Sequence, residues 1–423
     1  MPMSSSTLID ALRQGFTEPV RDALWGHVYL TPELEALTRS IPFMRLHRIA
    51  QLGPAALCYP GATHTRAAHS IGVYHLTRRL LLNLIERGAD SWLSTEGVRS
   101  MLCAALLHDI GHFPYAHSLK ELPLVNHEEL GAQLIVSEPL RSLIGKAGAD
   151  AELTAAIIDT ERQMTESGEL RFYRALLSGS LDPDKLDYLN RDARYCGVPY
   201  GAQDVDFIIS ILYPHRERGV EIDSRGITSV ESVLFSKYLM YRSVYWHHSV
   251  RAATAMIKKA LSHGLSSGAI NGDELYGLDD AGLFSLLSRG VCPLFSLGDA
   301  VRQGRLYKLI LEEPFDEQKH NTLKDLAGRE RREEELAAEF SCTAGLVLES
   351  RQIIVDVPER SAFETNLYVR DKKCFFGESS SFFKVDTITA FVKTLRIVRI
   401  YVEHPAAAQL LSLGIVEKIF GGK

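Results

Sequence analysis

Four residues with ligand chemistry stand far apart in this chain: His69, the adjacent pair His108-Asp109, and Asp184. Two imidazoles and two carboxylates form a mixed nitrogen and oxygen set that suits a divalent cation able to activate water, so the chemistry they imply is hydrolysis. The His-Asp pair closes the apolar run 101–107 and is followed by Ile110, Gly111 and His112. Ala104, Ala105, Leu107 and His108 read as positions of a buried helix, with Gly111 as its stop signal. The pair is therefore expected at a helix end, deep inside the domain. Burying an imidazole and a carboxylate side by side is costly unless a cation or hydrogen-bond partners compensate them. A metal would do so. A satisfied core histidine beside an aspartate bonded to a nearby amide would do so too, and two residues alone do not separate the readings.

The elements that must carry these ligands are helical. Helical periodicity runs from about residue 30 to 310: segment 71–85 sets Val73, Leu76, Leu80, Leu81 and Leu84 at helical spacing, and 98–107, 130–136 and 232–261 repeat the pattern. From 312 to 339 the chain turns highly charged, and the mixed signs at spacings of three and four predict a solvated helix face that marks a boundary. Beyond it, the β-branched segments 352–357 and 395–402 read as strands, with a helix near 386–394 between them. The expected fold is mainly α. A helical domain fills 1–310, a charged helical connector 311–340, and a small α+β module 341–423.

Composition narrows the class. With 46% hydrophobic and 24% charged residues over 423 positions, the chain can bury a large core and is not a disordered segment. A formal net charge of −6 argues against a general electrostatic grip on nucleic acid or an anionic membrane. Any phosphate binding must then come from a few local cations and a metal. Cys58, Cys103, Cys196, Cys292, Cys342 and Cys374 form no CxxC pair, which suits reduced cytoplasmic thiols better than a disulfide frame or a zinc finger. The opening residues 1–6 show no basic segment leading into an apolar run, and no later stretch reaches the roughly 18 apolar residues of a membrane span. A cytoplasmic protein is expected.

Around the ligands the sequence reads Gln51-Leu52-Gly53, then Tyr-Pro-Gly-Ala-Thr-His-Thr-Arg-Ala-Ala-His-Ser-Ile-Gly-Val over 59–73. His-Asp-Ile-Gly-His-Phe-Pro-Tyr-Ala-His follows over 108–117, then Asn126-His127-Glu128, then Asp-Pro-Asp-Lys-Leu-Asp-Tyr-Leu-Asn-Arg-Asp over 182–192. This ordered series resembles the HD-domain phosphohydrolases, in particular their deoxynucleoside triphosphate triphosphohydrolase branch, across roughly residues 20 to 260. Past about 310 the resemblance is weak. It implies His69, His108, Asp109 and Asp184 as metal ligands, and Lys185, Tyr188 and Arg66 as phosphate contacts. Asp192 would hold the sugar 3′-hydroxyl, with Gln51 and Leu52 flanking sugar and base. His112, His117 and His127, the last beside Glu128, would surround the phosphates, with His117 the candidate to protonate the leaving oxygen. Tyr245 and His247 resemble a later segment lining the same pocket. The implied reaction releases nucleoside and inorganic triphosphate, and related enzymes form dimers and tetramers. The donor set accepts manganese, magnesium, iron, nickel or zinc.

Spacing adds its own argument. If Asp182 caps a helix and Pro183 occupies its first turn, Asp184, Tyr188 and Asp192 recur every four residues along one face, with Lys185 beside them and Leu186, Leu189 and Ala193 turned elsewhere. The alternative is that Lys185 merely pairs with acidic helix neighbours such as Asp182. Gln51 and Leu52 could equally end a helix before the Gly53-Pro54 turn, Tyr245 could pack in an aromatic helix, and His64 and His75 read as ordinary polar or packing residues. His117 lies nine residues beyond His108, past a turn containing Pro114, and an imidazole titrates near neutral pH as a general acid should. Two departures from the branch stand out. Arg39, Met44 and His47 replace the Asp, Gln and Arg with which animal members read an activating guanine nucleotide. Lys120, followed by Glu121, occupies the place of an acid that supports the catalytic histidine. Either Glu121 takes over that role or the general-acid arrangement differs.

Overall fold

The computed structural model describes residues 5–359, 363 and 366–416, so residues 1–4, part of the opening weighed for a leader, lie outside it. Three capped helices form the frame around the expected ligands. The Arg66–Glu86 helix begins at Thr65, whose hydroxyl accepts from the Ala68 amide, and it buries Val73, Leu76, Leu80, Leu81 and Leu84. Ser94 caps the Thr95–Leu107 helix in the same way, and this element is buried along most of its length, as a run rich in Leu and Ala allows. The Pro183–Cys196 helix has Asp182 as N-cap and Pro183 in its first turn, and Gly197 at φ 67° closes it in the left-handed conformation that glycine adopts freely. Both Thr95–Leu107 and Pro183–Cys196 pack against Arg66–Glu86. Gly72 leaves room for the Pro183–Cys196 helix, since an added Cβ would meet Asp187 Oδ1 at 1.9 Å.

Gly111 has a different role from the expected helix stop. Its φ is not positive. A Cβ there would instead sit 2.1 Å from the His127 carbonyl oxygen and 2.3 Å from the Gly131 nitrogen, both backbone atoms of the His127–Ile135 helix. The glycine lets the turn after Asp109 touch that helix, so Gly111→Ala is expected to destabilise the fold by about 3 kcal/mol, since rigid backbone cannot yield as a side chain does. Thermal unfolding checks this. An unchanged melting temperature would show that the two elements can separate at no cost.

The expected single helix over 232–261 is interrupted. Ile227–Met240 runs into a π-helical turn, Tyr241–Tyr245, and a new helix starts at His248–Ser266, whose N-cap His247 accepts from the Ser249 amide at 3.3 Å. Apolar residues continue through the break, so periodicity alone shows no stop. Wide turns of this kind cluster at functional sites.

Small sheets decorate the helices. Strands β1 (Glu18–Asp22) and β2 (Gly26–Leu30) form an antiparallel hairpin, as do β3 (Leu212–His215) and β4 (Gly219–Ile222). Strand β5 (Lys308–Pro314), β6 (Ile353–Asp356) and β9 (Ile397–Val402) make an antiparallel sheet in the order β5-β9-β6. The charged segment therefore opens partly as strand, and its helix is Leu326–Ala344. That helix is not a purely solvated face, because Arg329 and Glu333 are buried along with Leu336, Ala337 and Phe340. Each buried charge has a partner, as burial demands: Arg329 bonds Glu121 at 2.6 Å, and Glu333 bonds Lys259 at 2.6 Å and the Val355 amide at 2.8 Å.

The fold is mainly helical with a smaller C-terminal α+β region, as read from the sequence. One stretch of that region leaves it. Strands β7 (Tyr368–Val369) and β8 (Cys374–Phe375) extend the β3-β4 hairpin, with β4 and β7 parallel, and Leu367, Val369, Phe376, Phe383 and Leu395 join the core of the first helices. Among the described residues no helix is long and apolar enough to cross a membrane.

Candidate metal centre

The helix ends converge as the spacing requires. His69 comes from the first turn of Arg66–Glu86, His108 and Asp109 from the end of Thr95–Leu107, and Asp184 from the first turn of Pro183–Cys196. Nitrogen and oxygen atoms of His69, His108 and Asp109 lie within 4.8 Å of one another. Asp184 Oδ1 is 2.8 Å from His69 Nε2 and 3.8 Å from His108 Nε2. Three of the expected ligands therefore form one cluster, and Asp184 stands at its edge against the two imidazoles.

The rings are aimed. His108 Nδ1 bonds the Ala105 carbonyl at 2.9 Å, and His69 Nδ1 bonds Asp187 Oδ2 at 2.8 Å, which leaves both Nε2 atoms facing the cluster. Such outer bonds fix the tautomer and orientation of metal-binding imidazoles. Asp187, wholly buried, is itself held by Arg191 at 2.8 and 2.9 Å and by Trp25 Nε1 at 2.5 Å, while Arg191 reaches on to Asp22 at 2.9 Å. Burial alone would raise the Asp187 carboxyl, but Arg191 and His69 outweigh it and push the pKa down to about 2. Burial likewise opposes charge on His69, yet the hydrogen bonds it donates to the Asp184 and Asp187 carboxylates push its pKa up to about 10. Two carboxylates on one imidazole favour positive charge at its edge. A divalent cation fits that demand and this donor set.

Beside the ligands lies a second group of imidazoles. His112 Nε2 is 3.1 Å from His117 Nε2 and 3.2 Å from Asp109 Oδ1, and the His112 and His127 rings approach to 3.7 Å between centroids. Glu128 Oε2 stands 3.1 Å from His127 Nδ1. Arg66, buried, bonds Asp109 Oδ2 at 2.8 Å through Nη1, and among the described residues its Nε has no hydrogen-bond partner, nor has His112 Nδ1. For Asp109 burial is outweighed by His112 and Arg66, so its carboxyl is held well below the usual range. Desolvation and then Arg66 push His117 down to about 4, and desolvation and His117 push His127 down to about 2. Neutral rings crowded against an arginine make a pocket that favours an anion, whose charge would return protons to them.

The residues expected around the sugar also come together. Asp192 is buried and receives Tyr245 OH at Oδ2 and meets His64 Nε2 at Oδ1, both at 2.7 Å. His64, read from the sequence as ordinary, thus joins Tyr245 in orienting Asp192. Tyr188 faces Tyr245 edge-on at 6.4 Å between centroids. Gln51 Oε1 is buried without a partner, and Leu52 packs beside Ala55, Ala62 and Val250. Two expected residues sit differently. Lys185 Nζ bonds Asp182 Oδ2 at 2.7 Å and the Gly179 carbonyl at 3.0 Å, the acidic-neighbour pairing that the sequence left open. His247 packs edge-on against Tyr59 at 6.0 Å and caps its helix. Glu121 does not take over support of His117, for its two oxygens are bonded by Lys258 and Arg329.

Comparison with known proteins follows this geometry. A model of the HD domain matches residues 66–191, and a model of the HD-associated region matches 204–401. An uncharacterized protein of Bacillus subtilis is 35% identical over 224 residues, which cover 52% of this chain and 49% of that protein. The deoxynucleoside triphosphate triphosphohydrolase of Danio rerio is 38% identical over 223 residues, 45% of this chain and 36% of that enzyme. The crystal structure of a phosphohydrolase from Bacteroides thetaiotaomicron superposes with a TM-score of 0.70 at 25% identity, covering 91% of this chain and 99% of that one. A hypothetical protein from Aquifex aeolicus gives 0.71 at 26% identity, covering 93% and 99%. The chain spans about half the length of the curated relatives it first matches. His69, His108, Asp109 and Asp184 are the ligands that the resemblance implies, and with an HD domain followed by an HD-associated region the chain belongs to the HD-domain family.

Proposed function

We propose that this chain is a metal-dependent hydrolase of deoxynucleoside triphosphates that releases the nucleoside and inorganic triphosphate. One observation carries the reading. The cation ligand Asp184 and the hydroxyl acceptor Asp192 project from one helix, with the Arg66 and three-histidine pocket beside the cation ligands. A divalent ion held by His69, His108, Asp109 and Asp184 would polarise a phosphoryl group and a water molecule. The chain's own residues do the rest. Arg66 offers its unpaired Nε to the growing negative charge, and a polyphosphate among His112, His117 and His127 raises their proton affinity. His117, which keeps contact with solvent, then holds the proton needed by the leaving oxygen. Asp192, fixed by His64 and Tyr245, accepts a sugar hydroxyl.

Incubation of metal-loaded protein with mixed deoxynucleoside triphosphates is expected to yield nucleosides and triphosphate. Release of only monophosphate and pyrophosphate, or no turnover with manganese, magnesium, iron, nickel or zinc, overturns the proposal. A second reading, hydrolysis of another nucleotide phosphoester, is favoured by the Lys185 bonds to Asp182 and Gly179, which draw a cation away from a long phosphate chain. A panel including nucleoside monophosphates and cyclic nucleotides separates the two. The expected dimer or tetramer belongs to the same proposal, supported by Ile41 and Met44, exposed on the short Ile41–Leu46 helix.

A further inference from the structure

The loop that carries His117 is fastened at both ends. At its start Tyr115 takes φ 64°, a left-handed conformation that costs a tyrosine energy and persists only where surrounding contacts enforce it. Its ring lies against Gly53. The short turn Ala116–Leu119 follows, and Glu121 comes two residues later. Glu121 Oε2 is 2.6 Å from Lys258 Nζ on the His248–Ser266 helix, and Oε1 is 2.6 Å from Arg329 Nη2 on Leu326–Ala344. Arg329 is buried and also donates to the Val357 carbonyl at 3.2 Å.

The fastening continues into the C-terminal sheet. Lys259 Nζ bonds Glu333 at 2.6 Å and the Ser350 and Ile353 carbonyls at 2.8 and 2.7 Å, and Arg251 holds Asp356 of β6 at 2.8 and 2.5 Å. One carboxylate on the His117 loop is thus tied to a buried ionic network more than 130 residues further along the chain. Burial would raise the Glu121 carboxyl, but Lys258 and Arg329 hold it below its ordinary range, so the pair stays ionic at neutral pH.

We propose that Glu121, clamped by Lys258 and Arg329, is a positioning residue that sets the His117 loop, so that the C-terminal region completes the site. His117 lies four residues before the clamp and shares no secondary-structure hydrogen-bond ladder with the frame helices. Displacing a reacting group by about 1 Å costs on the order of 100-fold in rate. The kinetic consequence rests on the hydrolysis proposed above; the structural one does not.

The test compares Glu121→Gln and Arg329→Met with Arg329→Lys and with the exposed control Arg331→Met. In the two disruptive variants, turnover of deoxynucleoside triphosphates should fall about 10- to 100-fold, with KM within about threefold and bound metal unchanged. Arg329→Lys should recover most of the rate, and Arg331→Met should match the parent. A second readout needs no turnover. In protein labelled with carbon-13 at histidine Cε1, the His117 signal, assigned with His117→Asn, should shift or broaden in Arg329→Met and Glu121→Gln while His69 and His108 stay in place. An unmoved His117 signal in folded Glu121→Gln overturns the clamp whether or not any nucleotide is hydrolysed. Parent-like kcat in both disruptive variants overturns it too, as does a loss of rate that tracks loss of metal.

Discussion

Replacing Asp109 by Ala is expected to empty the centre and to weaken the whole fold. Its carboxylate has three neighbours at once: Arg66 at 2.8 Å, His112 at 3.2 Å and His108 at 3.4 Å. Deleting it removes a proposed cation ligand and leaves a buried guanidinium uncompensated, a loss of about 3–5 kcal/mol for a broken buried pair. Elemental analysis should show bound metal reduced to a small fraction of parent stoichiometry, and hydrolysis should fall roughly 1000-fold or more. Asp109→Asn separates the two effects, because it keeps the shape while discarding the charge. Parent levels of metal in a folded Asp109→Asn protein would remove Asp109 from the ligand set.

Asp187→Ala should come next in size although Asp187 would touch neither cation nor nucleotide. It aims His69 through Nδ1, and it neutralises Arg191, whose side chain has no exposed surface. Without it Arg191 keeps only Asp22, and Trp25 loses its acceptor. Metal affinity is expected to drop about 10- to 100-fold, the usual effect of losing an outer partner of a metal-binding imidazole. Stability should fall by about 3–5 kcal/mol. Metal titration and thermal unfolding of the same samples read both. Parent-like values in the two would mean that the His69 ring is held by something other than this carboxylate.

What the sequence disclosed was local chemistry. Asp182 and Pro183 announce a helix start by residue type, and the period of four then places Asp184, Tyr188 and Asp192 together on one side. His108-Asp109 at the end of an apolar run located a helix end, and only the ordered motifs around the dipeptide set a ligand pair apart from a satisfied core histidine. Asp187 was missed because it reads as one more acid in a charged helix; its signal was a carboxylate beside Leu186 with an arginine four residues on, a pair that only burial makes important. His64 gave no local signal at all, since its partner lies 128 positions away. Glu121 is separated from its partners by 137 and 208 positions, and no pattern of spacing reports such distances. The break at Tyr241–Tyr245 escaped because apolar residues run straight through it. Hairpin β1-β2 escaped because its strands are only five residues each and Glu18–Asp22 holds a single β-branched residue, Val20, although inner and outer positions alternate in both. Gly111 was noticed for the wrong reason, as a helix stop rather than as a point of contact between backbones.

The return of β7 to β4 has a practical consequence for dissecting this protein. A fragment cut near residue 310, where composition changes, would keep every proposed cation ligand and still be incomplete. Strand β4 would lose its parallel neighbour at Glu221 and Ile222, and Tyr238 would lose the Phe391 ring stacked on it at 4.3 Å. Bare strand edges and uncovered aromatic faces recruit other chains. Such a fragment would be prone to self-association, and its poor behaviour would say nothing against the chemistry of the centre it carries.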